Sequence, residues 1–421
     1  MEGTRMRIGL LMFGLASSTT AGAQQGTPSI EEVWAIVQRQ QTQIQELERQ
    51  LAATQGELEG TTADVEATQS MVIATGDYVE SLGEIVEAGD AGRSRTAVGG
   101  YGELHFNSID ADDAAFDADE VDFHRFVLFF GHQFNDRIRF FSELELEHSL
   151  VTEDGPGEVE LEQAYLDFGL TASVSAQAGL FLLPVGILNE THEPPTFYGV
   201  ERNDVESIIL PSTWWEAGAA MSGNVANGLS WNVAAHSGLA MPTTGANAFA
   251  VRSGRQKVAE ALASDPAYTF RLRYTGVPGL ELAASYQYQS DPSQMPGDGL
   301  DSGRLLTAHA IFQSGPFSLR ALYGGWSFSG VAVEAAGGDD QSGWFVEPSY
   351  KLTDSIGVYA RYEDLEGARD IDKFTQWEAG LNYWPDPTVV IKLDLRARDH
   401  DVGALSGRNF DAVDVGIGYQ F

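Results

Sequence analysis

Several basic side chains of this sequence recur at every second position, where the residues between them are apolar. Arg271 and Arg273 alternate with Phe270, Leu272 and Tyr274 in this way. Successive side chains of a strand point to opposite faces, so such stretches gather cationic groups on one face. Guanidinium groups offer paired N–H donors that match carboxylate and phosphate oxygens. We therefore predict an anion-binding face formed by Arg125, Arg139, Arg271, Arg273, Arg320, Arg361, Lys392 and Arg396.

Acidic residues share these faces. Glu143, Glu145 and Glu147 follow Arg139 at alternate positions. Opposite charges on one face of a sheet pair readily across neighbouring strands. Each basic residue is therefore equally well interpreted as a solute contact or as part of an ion-pair network in the wall.

A second group of candidates lies in segment 184–214, which mixes prolines, aromatic residues and charges. A long loop of this kind inside a compact domain is more often functional than not. Arg202, flanked by acidic residues, is the strongest candidate for a solute contact. The candidates of this segment are Glu193, Tyr198, Glu201, Arg202 and Asn203. A later link adds further positive charge through Arg252, Arg255 and Lys257.

No arrangement typical of catalysis, metal binding or cofactor binding is found. The eight histidines are scattered, with no His-Glu-x-x-His motif and no second ligand at helical or strand spacing. A Gly-x-Ser-x-Gly elbow, a Walker loop and cysteine are all missing from the sequence. The acidic run 110–120 lacks the glycine of a calcium loop. We therefore predict no enzyme, no metal site and no cofactor.

The composition limits the partners. The 421 residues carry a formal net charge of −36, which disfavours binding to nucleic acid. Residues 1–23 are typical of a signal peptide, since Arg5 and Arg7 precede a short apolar run and small residues follow it. No other stretch reaches the roughly 18 apolar residues of a membrane-spanning helix. We therefore predict export of the chain.

A seven-residue repeat occupies residues 24–92. Apolar residues recur at both heptad positions, with valine at later a positions and threonine at four consecutive d positions. β-branched residues at both positions favour three-stranded coiled coils. We predict a periplasmic, trimerising coiled coil, for which peptidoglycan is a candidate partner.

Beyond residue 97 the period changes from seven to two. Sixteen alternating segments can be distinguished, and short links with turn residues alternate with long links between them. Short periplasmic turns and long outer loops produce this alternation in transmembrane barrels. Trp344, Tyr383 and Trp384 suit the aromatic girdles of such a barrel. The predicted strands begin near residues 98, 121, 137, 158, 173, 215, 229, 268, 280, 304, 317, 343, 355, 373, 388 and 410.

These observations predict an all-β fold, a 16-stranded antiparallel transmembrane β-barrel over residues 97–421, preceded by an α-helical coiled coil. The last strand ends in alternating apolar residues and a terminal Phe421, which resembles the sorting signal of bacterial outer-membrane proteins. Sixteen strands enclose more space than side chains can fill, so the lumen should hold water.

Part of the barrel sequence resembles a known family. The stretches 163–168, 182–186, 189–203 and 211–218 are similar to the third-loop region of the phosphate-selective porin O and P superfamily. Within it, the chain most resembles the dicarboxylate-type (DcaP-like) porins that carry an N-terminal coiled coil. The resemblance implies trimeric channels whose third loop, here 184–214, folds into the pore and narrows it. The low number of lysines and arginines, 25, argues against strict phosphate selectivity.

The expected function is an outer-membrane porin for small hydrophilic solutes, with organic anions such as dicarboxylates preferred. The expected partners are two further copies of the chain, outer-membrane lipid, lipopolysaccharide and small anions. Two alternatives remain open. A sugar-type porin would need an aromatic path, for which Phe197, Tyr198 and Trp214 are available. A barrel with a plugged lumen, whose long loops act as an adhesin or enzyme, is the other. Separately, loop 184–214 could be an outer lid over the barrel mouth and not a constriction.

Overall fold

The wall of the molecule is a single closed sheet. The computed structural model describes residues 95–149, 155 and 157–421, and in them sixteen antiparallel strands form one barrel. The strands are β1 (Thr96–Ala111), β2 (Ala118–Asn135), β3 (Ile138–Glu147), β4 (Val159–Gly169), β5 (Val174–Leu182), β6 (Trp215–Ala226), β7 (Leu229–His236), β8 (Ala267–Val277), β9 (Leu280–Gln289), β10 (Ser302–Ser314), β11 (Phe317–Ser329), β12 (Asp340–Thr353), β13 (Ile356–Glu366), β14 (Lys373–Asp386), β15 (Val389–His400) and β16 (Phe410–Gln420). Each strand pairs with its neighbours in the chain, and β1 closes the barrel on β16.

The predicted barrel of sixteen antiparallel strands is confirmed. Every strand begins within three residues of its predicted start, the largest differences being 118 against 121 and 340 against 343. The predicted signal peptide (1–23) and coiled coil (24–92) lie outside the described residues. Among the described residues, no helix is long and apolar enough to cross a membrane.

The alternation of apolar and polar residues along each strand corresponds to an outward and an inward face of the barrel wall. On β12, Trp344 and Val346 point outward and are 39% and 36% exposed, whereas Phe345 and Glu347 point inward and are buried. On β16, Val415 is exposed and Asp414 is fully buried. Because one strand must place aliphatic residues outside and charged residues inside, the register of every strand pair is fixed by its sequence.

The two ends of the barrel differ. At one end, the turn end, the links are tight, as at Asn227 and Gly228, whose positive φ angles of 53° and 77° suit a two-residue hairpin turn. The other end, the loop end, carries the long links, which contain several short helical turns and, among the described residues, one α-helix, α1 (Val331–Ala336). These links are 112–117, 148–158, 183–214, 237–266, 290–301, 330–339, 367–372 and 401–409.

The main apolar core lies inside the barrel and involves residues 183–214, here called the inner loop. Its Ile209, Leu210 and Trp214 are at most 1% exposed and belong to one cluster with inward residues such as Trp326 and Phe345. Burial of one such side chain contributes roughly 1.5–3 kcal/mol. The inner loop and the inward faces of β10–β14 therefore fill part of the barrel interior, as the resemblance to porins with an inward-folded third loop implied.

Two glycines of the wall make room for the inner loop. A Cβ atom added at Gly324 would lie 3.1 Å from Leu210, and one at Gly343 would lie 3.2 Å from Ile209. Both distances are shorter than ordinary carbon contacts. The missing side chains therefore let the loop lie directly against β11 and β12.

One residue predicted to lie in the outer aromatic girdle points into the barrel instead. Trp344 and Tyr383 are exposed on the outer surface, as expected. Trp384 instead donates from its indole nitrogen to the carbonyl oxygen of Pro195, 3.2 Å away, and packs edge-on against Tyr198. Because Trp384 directly follows Tyr383 on β14, the alternation of the strand directs the two side chains to opposite faces.

Candidate functional site in the barrel interior

The inner loop is closed on itself by a buried carboxylate. Glu206, which is 1% exposed, accepts hydrogen bonds from the backbone N–H groups of Ile187 (2.5 Å) and Leu188 (2.7 Å). It also accepts one from the side chain of Asn203, at 2.9 Å. Burial raises the pKa of Glu206, and these three donors oppose that effect. Asn203, which we expected to face the solute, is buried and instead holds the loop together.

The middle of the inner loop crosses to the far wall through its backbone. Lys392 on β15 donates to the carbonyl oxygen of Gly199 at 2.6 Å. Arg320 on β11 donates to that of Thr196 at 2.9 Å. The ammonium group of Lys392 also lies 3.6 Å from the centre of the Phe197 ring. Together with the apolar cluster that the inner loop forms with β10–β14, these contacts hold the inner loop across the barrel interior.

A polar anchor joins the inner loop to β1. Glu201 accepts hydrogen bonds from His105 and from Asn107, each at 3.0 Å. Burial alone would raise the pKa of Glu201, but the hydrogen bond and charge of His105 hold it well below its usual range. The carboxylate therefore stays ionised, and Glu201 serves as an anchor of the loop.

The depressed pKa predicts how acid acts on this anchor. A carboxylate whose folded pKa lies below the unfolded value, about 4.3, stabilises the structure above that pH. Its contribution is lost as the pH falls toward the folded pKa. We expect hydrogen–deuterium exchange of the inner loop, corrected for intrinsic rates, to stay constant from pH 7 to about 4.5 and to accelerate in stronger acid. The Glu201→Gln variant should exchange faster at pH 7 and lack this acid-dependent step; an identical pH profile in both proteins would contradict the assignment.

Several predicted anion contacts are engaged in wall networks. Arg361, 2% exposed, pairs with Glu347 (3.0 Å), Glu363 (3.0 Å) and Glu378 (2.5 Å). Arg125 likewise lies 2.8 Å from Glu103. The same holds for Arg396, whose carboxylate partner is Asp414. For these three arginines the structure favours the ion-pair interpretation over a solute contact.

Three other predicted arginines line one cavity at the turn end. The cavity has a volume of about 380 Å³ and contains Arg139, Arg271 and Arg273 in its wall. Arg139 pairs with Asp167 at 2.8 Å, and Arg271 pairs with Glu190 of the inner loop. Among the described residues, the Arg273 side chain forms no hydrogen bond or direct ion pair, and Glu281 is a carboxylate with which its charge interacts. This cavity is where the alternating arginines of β3 and β8 converge.

A second basic group lies at the loop end. Arg252 donates to the carbonyl oxygens of Ser207 (3.0 Å) and Ser212 (2.8 Å), and Arg255 donates to that of Thr213. Burial, together with the nearby Arg255 and Arg202, lowers the pKa of Arg252 to about 9. Arg202 lies 3.4 Å from the carbonyl oxygen of His192. In the part of the chain described, none of these three arginines pairs with a carboxylate.

The remaining predicted residues of the inner loop pack against the wall. The ring of Tyr198 lies 5.1 Å from that of Tyr359, and burial raises the pKa of Tyr198 to about 12. Glu193 accepts a hydrogen bond from Thr196 through its backbone oxygen, at 2.8 Å. Burial also raises the pKa of Glu193. Among the described residues, neither side chain forms a direct ion pair, although the charges of His192 and Arg202 act on Glu193.

Comparison with known proteins supports the architecture. No family model matches the sequence. An uncharacterized protein of Aquifex aeolicus (strain VF5) is 29% identical over 346 residues, which cover 72% of this chain and 76% of that protein. Among solved structures, the anion-selective porin from Comamonas acidovorans superposes with a TM-score of 0.55 at 11% identity, over 78% of this chain and 100% of the other.

Two further porins are similar in structure. Salmonella typhi OmpF superposes with a TM-score of 0.54 at 15% identity, and the outer membrane channel DcaP of Acinetobacter baumannii with 0.53 at 14%. Each match covers 77% of this chain and 97% of the other. The chain has the porin fold.

Within this porin fold lies a cluster of possible metal ligands that was not predicted from the sequence. Asp122 and His124 lie two residues apart on β2, and His148 follows the end of β3. The Oδ2 atom of Asp122 is 2.9 Å from Nδ1 of His124 and 2.7 Å from Nδ1 of His148. Our statement that no histidine has a second ligand at strand spacing was wrong for Asp122 and His124. The third member could be found only from the pairing of β2 with β3.

Proposed function

We propose that this protein is an outer-membrane channel through which small hydrophilic solutes diffuse, with small organic anions such as dicarboxylates preferred. The porin fold, the apolar outer face and the charged inner face support this proposal. In a membrane, a closed barrel satisfies every backbone hydrogen bond of its wall. Diffusion through such a channel needs no catalytic group, so we propose no enzymatic activity.

The observation that carries the anion preference is the set of cations without a carboxylate partner. Among the described residues, Arg202, Arg252 and Arg255 at the loop end and Arg273 at the turn end form no direct ion pair with a carboxylate, although Glu147 and Glu160 act electrostatically on the loop-end group. The positive charge of Arg125, Arg361 and Arg396, by contrast, is compensated locally. A passing carboxylate could exchange with the carbonyl contacts at the loop end, since charge-assisted hydrogen bonds are the stronger ones.

Acidic groups oppose this preference on one side of the interior. Glu143 and Glu162 lie 3.3 and 3.8 Å from the imidazole of His192, and Glu162 also interacts electrostatically with Arg255. We therefore place the anion path along the loop-end arginines and β8, where Arg252, Arg255 and Arg273 supply positive charge. Selectivity in a channel depends on the charges that line the narrowest part, not on the total charge of the chain.

Reversal potentials test the anion preference. In planar bilayers with a KCl gradient, the native channel should show an anion-favouring reversal potential. The Arg252→Gln/Arg255→Gln double variant should shift it by several millivolts or more toward cation preference. The matched Arg252→Lys/Arg255→Lys variant keeps both charges and should retain the preference while changing the conductance. A cation-selective native channel would contradict the proposal that these arginines set the ion preference.

The same recording distinguishes the other functions. A sugar-type porin would show no ion preference, and its current would fall when oligosaccharides enter the constriction near Phe197 and Tyr198. A plugged barrel that acts as an adhesin or enzyme would show no conductance at all. The apolar core that joins the inner loop to β10–β14 is the feature that would favour a plugged barrel.

The assembly belongs to the same proposal. The chain should form a homotrimer surrounded by outer-membrane lipid and lipopolysaccharide, with segment 24–92 as a periplasmic coiled coil and peptidoglycan as its candidate partner. Three equal current steps per inserted particle would support a trimer, and a single step would argue for a monomer. Comparing the full chain with a variant lacking 24–92 would assign the contribution of that segment.

A further inference from the structure

Three side chains that the proposed conduction path does not use converge at the loop end of the wall. The ligand atoms of Asp122, His124 and His148 all lie within 4.8 Å of one another. Both imidazoles direct Nδ1 to the same carboxylate oxygen. Two imidazoles and one carboxylate form the mixed nitrogen and oxygen donor set that Zn²⁺ and related transition metals prefer.

The fold builds this cluster with two local irregularities. Glu103 pairs with Arg125 and His105 pairs with Asp122, so β2 contains one more residue than β1 between these positions. The bulge lets the consecutive residues His124 and Arg125 both contact inward groups of β1. Without it, the alternation of the strand would direct one of the two outward.

His148 reaches the cluster through an unusual backbone conformation. Its φ angle is +48°, in the left-handed region, and its N–H donates to the carbonyl oxygen of His124 at 3.0 Å. Histidine is enriched in this region, yet the conformation still costs free energy. The turn of the chain brings the His148 imidazole back over β2 and onto Asp122.

Neighbouring groups fix the orientation of the rings. The ring of His124 stacks on that of His105, with centres 4.7 Å apart and planes at 12°. It meets the ring of His148 at 90° and 5.3 Å. His105 is itself held between Glu103 (3.3 Å) and Glu201 (3.0 Å). These ring contacts fix the plane of the His124 imidazole beside Asp122.

We propose that Asp122, His124 and His148 bind one divalent transition-metal ion of the Zn²⁺ class. Metal–ligand bonds of about 2.0–2.2 Å set tetrahedral ligands roughly 3.3–3.5 Å apart, so each imidazole moves back from Asp122 by about 0.5 Å. When the ion binds, the proton on Nδ1 of each imidazole leaves to solvent. Each coordinating imidazole is then neutral and carries its one proton on Nε2. The fourth position stays open to water or to a solute anion.

Exposure and the lack of a bound lysine distinguish this cluster from two others in the described residues. The side chains of Asp122 and His124 are each 26% exposed and that of His148 is 30% exposed, so an ion can enter from solvent. The cluster of Glu143, Glu162 and His192 is almost fully buried. The third cluster, Glu147, Glu158 and Glu160, already contains the ammonium group of Lys257.

Calorimetric titration tests the site without any use of conductance. The full chain, purified in detergent without a histidine tag, should bind one Zn²⁺ per protomer. Ca²⁺ and Mg²⁺, which prefer oxygen ligands, should give no comparable binding. Lower pH should weaken Zn²⁺ binding, because protons compete for the imidazole nitrogens. Co²⁺ should give the visible absorption of a tetrahedral site.

Matched variants locate the ion. Asp122→Asn, His124→Gln and His148→Gln should each weaken Zn²⁺ binding roughly tenfold or more, since each removes a direct ligand. His132→Gln, on the same strand but at the turn end, should bind Zn²⁺ as the native chain does. Loss of binding in His192→Gln but not in His124→Gln would overturn the proposal, as would Zn²⁺ binding no tighter than Ca²⁺ binding. All of these outcomes can be read even if the barrel does not conduct.

Discussion

Replacing Arg361 with methionine should destabilise the barrel by about 3–5 kcal/mol, because one partner of a buried ion-pair network is removed while the others stay buried. Arg361 is the common partner of Glu347, Glu363 and Glu378, and all four side chains are at most 5% exposed. Without the guanidinium group, three carboxylates would face one another across β12, β13 and β14. Glu363 also accepts a hydrogen bond from the backbone of Val205, so the inner loop should loosen as well.

Urea unfolding of the refolded protein in lipid vesicles, followed by tryptophan fluorescence, measures this loss. Arg273→Met is the matched control, since it makes the same change on an inward position without a direct ion pair to the described residues. The control should change the free energy of unfolding by at most about 1 kcal/mol. If both variants lowered the free energy of unfolding equally, the ion-pair network of Arg361 would not be the cause of the loss. Arg361→Lys should recover only part of the loss, because an ammonium group cannot reach three carboxylates with fixed planar geometry.

Replacing Glu206 with alanine should release the inner loop from its closed form and enlarge the channel. The change removes the acceptor of three hydrogen bonds, from Ile187, Leu188 and Asn203. Each buried donor left without a partner costs about 1–3 kcal/mol. The loss is local to the loop, because the wall strands keep their own pairing. The loop should therefore detach before the barrel unfolds.

Single-channel recording should show a larger and noisier conductance for Glu206→Ala, with weaker ion selectivity. Glu206→Gln retains one oxygen acceptor and should give an intermediate effect. Glu120→Ala removes the same charge from an exposed position of β2 and should leave the conductance unchanged. An unchanged conductance in Glu206→Ala, with faster hydrogen exchange of residues 187–206, would mean that the loop does not form the narrowest part of the channel.

The sequence by itself determined the wall of this protein. Alternation such as Phe270, Arg271 and Leu272 is a local pattern, and a strand that separates lipid-facing from interior residues can satisfy it in only one register. Strand number, strand starts and the contrast between turns and loops could therefore be predicted. The charged inner face was predictable for the same reason.

Only the tertiary structure decided which charges of that face are compensated. Arg361 and Arg273 look alike in the sequence, as inward arginines with apolar neighbours. Their difference arises from the residues on adjacent strands, since Arg361 pairs with Glu378 in register and Arg273 lies opposite Ser230. Charge compensation acts over a few ångströms in space, whereas the sequence pattern reports only the face to which a side chain points.

The path of the inner loop and the Asp122, His124 and His148 cluster were likewise decided in three dimensions. The loop lies where Gly324 and Gly343 leave space and where Trp326 supplies a donor, and these residues follow it by more than a hundred positions. His148 reaches Asp122 because β2 and β3 pair, and the bulge in β2 lets His124 point inward together with Arg125. Periodicity is a local property that sequence alone can reveal. Contact between distant residues depends on register, bulges and excluded volume, which exist only once the barrel has closed.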